Sequence, residues 1–322
     1  MAKKASSRSS SRGESVVRAS RVLSWARTHA DSVRELILSE GCFVSHGDFN
    51  AANFAQLVAA VGPHLTKISI GMGFDELLGP PFWAALRARV IPARKLRVLE
   101  VDNIPKGFSM SDVEPLVQLR GSLEVLSLVG ASLEYGHPAA GLNRFPESFL
   151  ALTKLRTLVM VWLFKFEAIP AGIANLKKLK YLNVDGCGLL SLPKELGALS
   201  QLEVLHLKNN WPLSAAPDDV AFPPELKGMT SLRELRPHVC GLRCMPAFVR
   251  ELSSLEIIRF DMNPYLNFDA PLDYLIECCP RLRFVSMMKG YGFTWTQQSL
   301  AYLEAFKAKL IEKNPSAEVR FP

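Results

Sequence analysis

The chain has 322 residues, 48% of them hydrophobic and 21% charged, with a formal net charge of +7. That apolar content supplies a continuous core, yet no run approaches the ~18 apolar residues of a membrane span and no signal-peptide core stands near the start. Residues 1–27 hold Lys3, Lys4, Arg8, Arg12, Arg18, Arg21 and Arg27 against Glu14, a local +6, so the remaining body is close to neutral and offers no net charge for nucleic acid.

In chain order, residues 1–15 form a Ser/Arg/Lys-rich stretch that predicts a disordered basic tail. The composition suits a solvated arm, an organellar transit peptide, or a nuclear or nucleic-acid-binding arm. The expected location is cytoplasmic or nuclear, and organellar if the tail acts as a transit peptide. The six cysteines, spread through a long chain without a secretory signal, are expected to be reduced. Val16 to His29 reads as a helix with Val22, Leu23 and Ala26 on one stripe, placing an N-terminal cap at 16–32.

A Leu-x-x-Leu-x-Leu motif then recurs across 33–294. Its first apolar positions are Val33, Leu65, Leu96, Leu123, Leu155, Leu179, Leu202, Leu232, Leu255 and Leu282, with a degenerate last strand around Val319 and Phe321. A period of this size marks units that bury their apolar faces only against their neighbours. The fold class predicted is α/β, a solenoid of about 10–11 repeats with a parallel sheet on the concave face and helices and irregular turns on the convex face. Phe54, Leu57, Val58 and Val61 fall on a helical stripe ended by Gly62-Pro63, and Pro80-Pro81 opens a helix with Phe82, Trp83 and Leu86 inward. The middle repeats carry Ile169-Pro170 and Leu192-Pro193 before short turn-and-helix segments. Two Gly/Pro-rich inserts, Glu134 to Pro146 and Trp211 to Pro224, follow strands and are expected to protrude from the rim. A C-terminal cap at 295–322 holds a helix from Thr296 through Leu300, Leu303, Phe306 and Leu310, stopped by Asn314-Pro315.

The segment Ile169 to Cys187, IPAGIANLKKLKYLNVDGC, resembles the leucine-rich repeat family in its intracellular plant type, and Leu192 to Asn210 matches the same pattern. Glu277-Cys-Cys-Pro-Arg-Leu282 is similar to the helix-to-strand joint of F-box-associated repeats, although the sequence shows neither an F-box nor a nucleotide-binding domain. The resemblance implies a leucine-rich-repeat solenoid that recognises a protein partner without catalysis. It also admits two other readings: a ubiquitin-ligase substrate receptor whose adaptor module lies on another chain, or an organelle- or nucleic-acid-associated protein acting through its tail.

Side chains alternate along a strand, so the third, fifth and seventh places of each motif face the concave surface. The fifth places are Ile37, Ser69, Glu100, Ser127, Val159, Asn183, His206, Arg236, Arg259 and Ser286. Strands ~4.8 Å apart make His206, Arg236 and Arg259 a contiguous row. Lys208 and His238 extend it, with Glu234 and Asp261 as opposing charges. Asn183 and Asp185 belong to the same face, and Val159, Val161, Trp162 and Tyr181 lie beside the row. Aromatics next to arginine are what interface anchors use, and an acidic or phosphorylated protein is the matching partner.

Other chemistry is not expected. His238-Val-Cys240-Gly-Leu-Arg-Cys244 invites a zinc reading, but Cys187 and Cys240 share a repeat position with Asn210 and Asn263, just after the strand, where a small polar group turns inward to hold the loop. No phosphate-binding loop, nucleophile elbow or H-E-x-x-H motif is present, so neither cofactor, metal nor catalysis is predicted. Pro237 takes the place of a core leucine and is expected to loosen the sheet.

Overall fold

The computed structural model describes residues 19–39, 50–105, 108–130, 144–162, 166–215, 217–266, 272–290 and 294–321. The basic tail at 1–15, Cys42, and most of the first insert lie outside them.

Eleven strands form one open sheet in strict chain order. They are β1 (Glu35–Leu38), β2 (Lys67–Ile70), β3 (Val98–Ile104), β4 (Val125–Gly130), β5 (Thr157–Val161), β6 (Tyr181–Asn183), β7 (Val204–His206), β8 (Glu234–Arg236), β9 (Ile257–Arg259), β10 (Phe284–Ser286) and β11 (Glu318–Arg320). Every adjacent pair is parallel, because each repeat returns to the start of the next strand. The pairing aligns the motif columns: Glu100 with Ser127, Val159 with Asn183, and His206 with Arg236.

The core is the fourth- and sixth-place column. Leu182, Val184, Leu205, Leu207, Leu235, Ile258 and Phe260 are all buried. Each such side chain stabilises the fold by roughly 1.5–3 kcal/mol relative to exposure. Among the described residues seven α-helices lie outside the sheet: α1 (Ala19–His29), α2 (Ala51–Val61), α3 (Pro80–Ala85), α4 (Met110–Val113), α5 (Asp218–Ala221), α6 (Tyr274–Cys278) and α7 (Gln297–Lys313). Phe54, Leu57, Val58 and Val61 of α2 are the buried ones, as their spacing predicts. Gly79 precedes Pro80 at the N-terminus of α3, and Thr296 accepts the Ser299 N–H to cap α7. Leu23 and Ala26 of α1 pack inward, toward α2. In the 23- and 24-residue middle repeats there is no room for an α-helix, and 3-10 turns such as Ala171–Asn175 and Lys194–Ala198 take its place.

Just after the strands, buried asparagines fix the turns. Asn210 accepts the N–H of Cys187 at 3.2 Å and of Leu189 at 3.1 Å, and donates to the carbonyls of Val184 and Leu207. Asn263 does the same for Cys240, Leu242, Pro237 and Phe260. At the same position the buried Cys187 and Cys240 thiols donate to the Met160 and Leu207 carbonyls, each at 3.0 Å. Burial pushes the Cys240 thiol up to about 12. One residue earlier the backbone turns left-handed in Asn103, Trp162, Gly186, Asn209, Val239 and Met262. Glycine and asparagine adopt this conformation readily; valine and tryptophan do so only under strain.

One expectation needs correcting. The second insert is anchored rather than projecting: Leu213, Ala221 and Phe222 are buried, and Leu192 N–H donates to the Ala221 carbonyl at 2.9 Å. At Pro237, as expected, the ladder weakens: the proline removes one rung, and β8 pairs with β9 over only Glu234–Ile257 and Leu235–Ile258, against three positions for β7 with β8. The flanking rungs Asn209 N–H to His238 O and Val239 N–H to Asp261 O, both present, hold the turn in place.

Candidate partner-binding face

The concave face changes character along its length. Over β3 to β5 it is aliphatic and small: Val98 pairs with Val125, Val129 with Val161, and Ser127 with Val159. All six side chains are half-buried, left partly open because nothing in the described fold lies over this side. The strip is interrupted on β3 by Glu100, which pairs with Ser127, and by Asp102; burial raises the Asp102 carboxyl, with Glu100 adding to the rise.

Over β6 to β10 polar side chains hydrogen-bonded to one another dominate, with Val204, Ile257 and Phe284 among them in the third-place column. Tyr181 Oη lies 3.1 Å from His206 Nδ1, and His206 Nε2 lies 3.0 Å from Glu234 Oε1. Facing a carboxylate, Nε2 carries the proton and donates; Nδ1 accepts from the phenol. Arg236 also lies against Glu234 Oε1. His206 is only 8% exposed, and burial lowers its pKa, with Arg236 and Arg259 pushing the same way against the Glu234 bond. The imidazole is therefore neutral at neutral pH. Burial also raises the Tyr181 phenol.

Asp185 accepts the Lys208 N–H at 2.6 Å, and burial raises its carboxyl to about 6 despite that bond. In the equivalent place Asp261 accepts the Met288 N–H at 2.9 Å and the Ser286 hydroxyl, with His238 Nδ1 at 3.6 Å. Burial alone would raise Asp261, but these bonds outweigh it and hold the group below its ordinary value. Asn183 turns along its own strand and accepts the Asp185 N–H at 2.9 Å.

The row His206, Arg236, Arg259 is thus contiguous but not uniformly basic, since His206 is neutral and Arg236 shares Glu234 with it. Lys208 is exposed at its edge. Val159, Val161 and Tyr181 lie on the face, whereas Trp162 sits at the rim. Its left-handed backbone lays the indole against Gly186, where a Cβ would stand 2.4 Å from the ring. Sequence reading passed over Val98, Val125 and Val129, which the third- and seventh-place columns could have supplied. It also passed over Phe284 and Arg320. The Arg259 guanidinium lies 4.5 Å from the Phe284 ring centre and that of Arg320 5.2 Å from it.

The profile of a leucine-rich repeat region matches residues 92–265, more than half of the chain. The chain belongs to the leucine-rich repeat family. Among curated proteins it is similar to the TMV resistance protein N of Nicotiana glutinosa, 26% identical over an alignment of 175 residues that covers 47% of this chain and 15% of that protein. Among solved structures it is similar to the ectodomain of the Arabidopsis receptor kinase HAESA in complex with an extended IDA peptide hormone, at 16% identity and a TM-score of 0.42, covering 79% of this chain and 37% of that one. The plant peptide hormone receptor RGFR1 with RGF2 gives 15% identity and a TM-score of 0.44, covering 81% and 38%. This leucine-rich repeat chain therefore spans well under half the length of each. Among the described residues no helix is long and apolar enough to cross a membrane.

Proposed function

We propose that this leucine-rich repeat chain is a non-enzymatic recognition module that holds a protein partner on its concave face. Aliphatic side chains of the partner sit on the valines of β3 to β5, and an acidic or phosphorylated stretch lies over β8 and β9. The observation that carries this reading is the half-exposed valine strip on a face the fold leaves uncovered. Contiguous apolar surface of this kind marks interaction sites. The polar half supports it, because its side chains are already held by hydrogen bonds and little ordering entropy is lost on binding.

The test is a quantitative pull-down from native lysate with wild type, Val159→Arg and the convex control Lys194→Gln, after matched thermal melts. Loss of a partner from Val159→Arg alone supports recognition by this face. Retention of every partner by Val159→Arg contradicts it.

A further inference from the structure

Among the described residues the concave face carries one guanidinium without a counter-ion. Glu234 serves Arg236, and Glu318 serves Arg320. Asp261 is taken up by Ser286, the Met288 N–H and His238. Arg259 has no ion pair or hydrogen bond among the described residues; its Nε, like that of the ion-paired Arg236, is buried without a hydrogen-bond partner, so the missing counter-ion is what sets Arg259 apart. A buried, unsatisfied N–H on a charged group is costly, and native structures seldom keep one without a use. Arg259 is nonetheless held in place, its guanidinium carbon 4.5 Å over the centre of the Phe284 ring, and that ring is itself buried between β9 and β11.

We infer that Arg259, positioned by Phe284, is the seat for a side-chain carboxylate of an acidic segment of the partner. The inference rests on the concave-face reading and names the chemistry at its C-terminal end. One unpaired cation matches one carboxylate. A phosphate brings about −1.5 to −2 charges into a site already holding Glu234 and Asp261, and so suits it less well. A guanidinium stacked on an aromatic ring directs its N–H edge away from the ring, in the geometry a carboxylate accepts.

The experiment uses the full chain and a fluorescein-labelled oligoglutamate peptide, followed by anisotropy at low and moderate salt, with inorganic phosphate as competitor. Arg259→Gln is expected to weaken binding roughly tenfold to a hundredfold and to flatten its salt dependence. Arg259→Lys should recover part of the loss, and Phe284→Leu, which keeps the charge and most of the core volume, should weaken binding less than Arg259→Gln. Lys194→Gln should change nothing beyond a small screening effect. Equal affinity of Arg259→Gln and wild type overturns the seat. Displacement by stoichiometric phosphate overturns the carboxylate assignment. Failure of wild type to bind oligoglutamate, while Val159→Arg still loses its cellular partner, overturns this inference and leaves the proposed function standing.

Discussion

The two halves of the concave face rest on one backbone register and yet present opposite chemistry. Over β3 to β5, valines and Ser127 stand half-exposed beside Glu100 and Asp102, and among the described residues no side-chain hydrogen bond ties the valines and Ser127 together. Over β6 to β10, Tyr181, His206, Glu234 and Arg236 form a single network, and Asp185 and Asp261 clamp the next repeat's backbone. The difference shows that the fold is fixed by the inward columns and the turn asparagines. The outward columns are free to carry function in one half and rigidity in the other.

The comparison breaks most visibly at the turns. Asn210→Ala would orphan two N–H groups and the Val184 carbonyl at once and leave the Leu207 carbonyl only the Cys240 thiol, at a cost of about 3–5 kcal/mol. Cys187→Ala, at the same position one repeat earlier, should cost only about 1 kcal/mol. Chemical denaturation of both variants checks the ratio.

The next largest effect concerns Asp185, whose carboxyl rises from its ordinary 3.8 to about 6 because it is buried. The folded state therefore holds this proton more tightly than the unfolded chain, so the contribution favours folding at low pH and is lost as pH rises through 6. Asp185→Asn keeps an acceptor for the Lys208 N–H without the charge. It should stabilise the protein by about 2–3 kcal/mol at pH 8 and by almost nothing near pH 4. Thermal melts across that range test the sign.

Smaller still is Val239, a β-branched residue at φ +55°. Val239→Asn should stabilise by about 1 kcal/mol, whereas Asn209→Val, at the equivalent place one repeat earlier, should destabilise by a similar amount. At the bottom of the scale, Val125→Thr on the open strip should shift stability by less than about 0.5 kcal/mol. A larger loss would mean that the strip belongs to the core and not to a recognition surface.

The strand columns were legible because leucine at fixed offsets has one use in a repeat, to be buried, and the alternation of faces follows from it. The role of Cys187, Cys240, Asn210 and Asn263 was legible for the same reason, as position within the repeat dictates it. The polar network was not. That Glu234 joins His206 to Arg236, and that Asp185 is buried enough to titrate near 6, depend on side-chain rotamers across neighbouring strands. Trp162 follows the last outward place of its strand, and its left-handed backbone lays the ring against Gly186, a turn that the alternation of faces does not announce. The second insert was read from its prolines as protruding, and Leu213 and Phe222, which anchor it, have no period to announce them.

The most direct test of the account is photo-crosslinking with the reactive residue placed at Ser127, on the concave face, or at Lys194, on the convex side. The account predicts that the partner lost by Val159→Arg is captured from Ser127 and not from Lys194. Capture from Lys194 alone would place recognition on the opposite surface and contradict it.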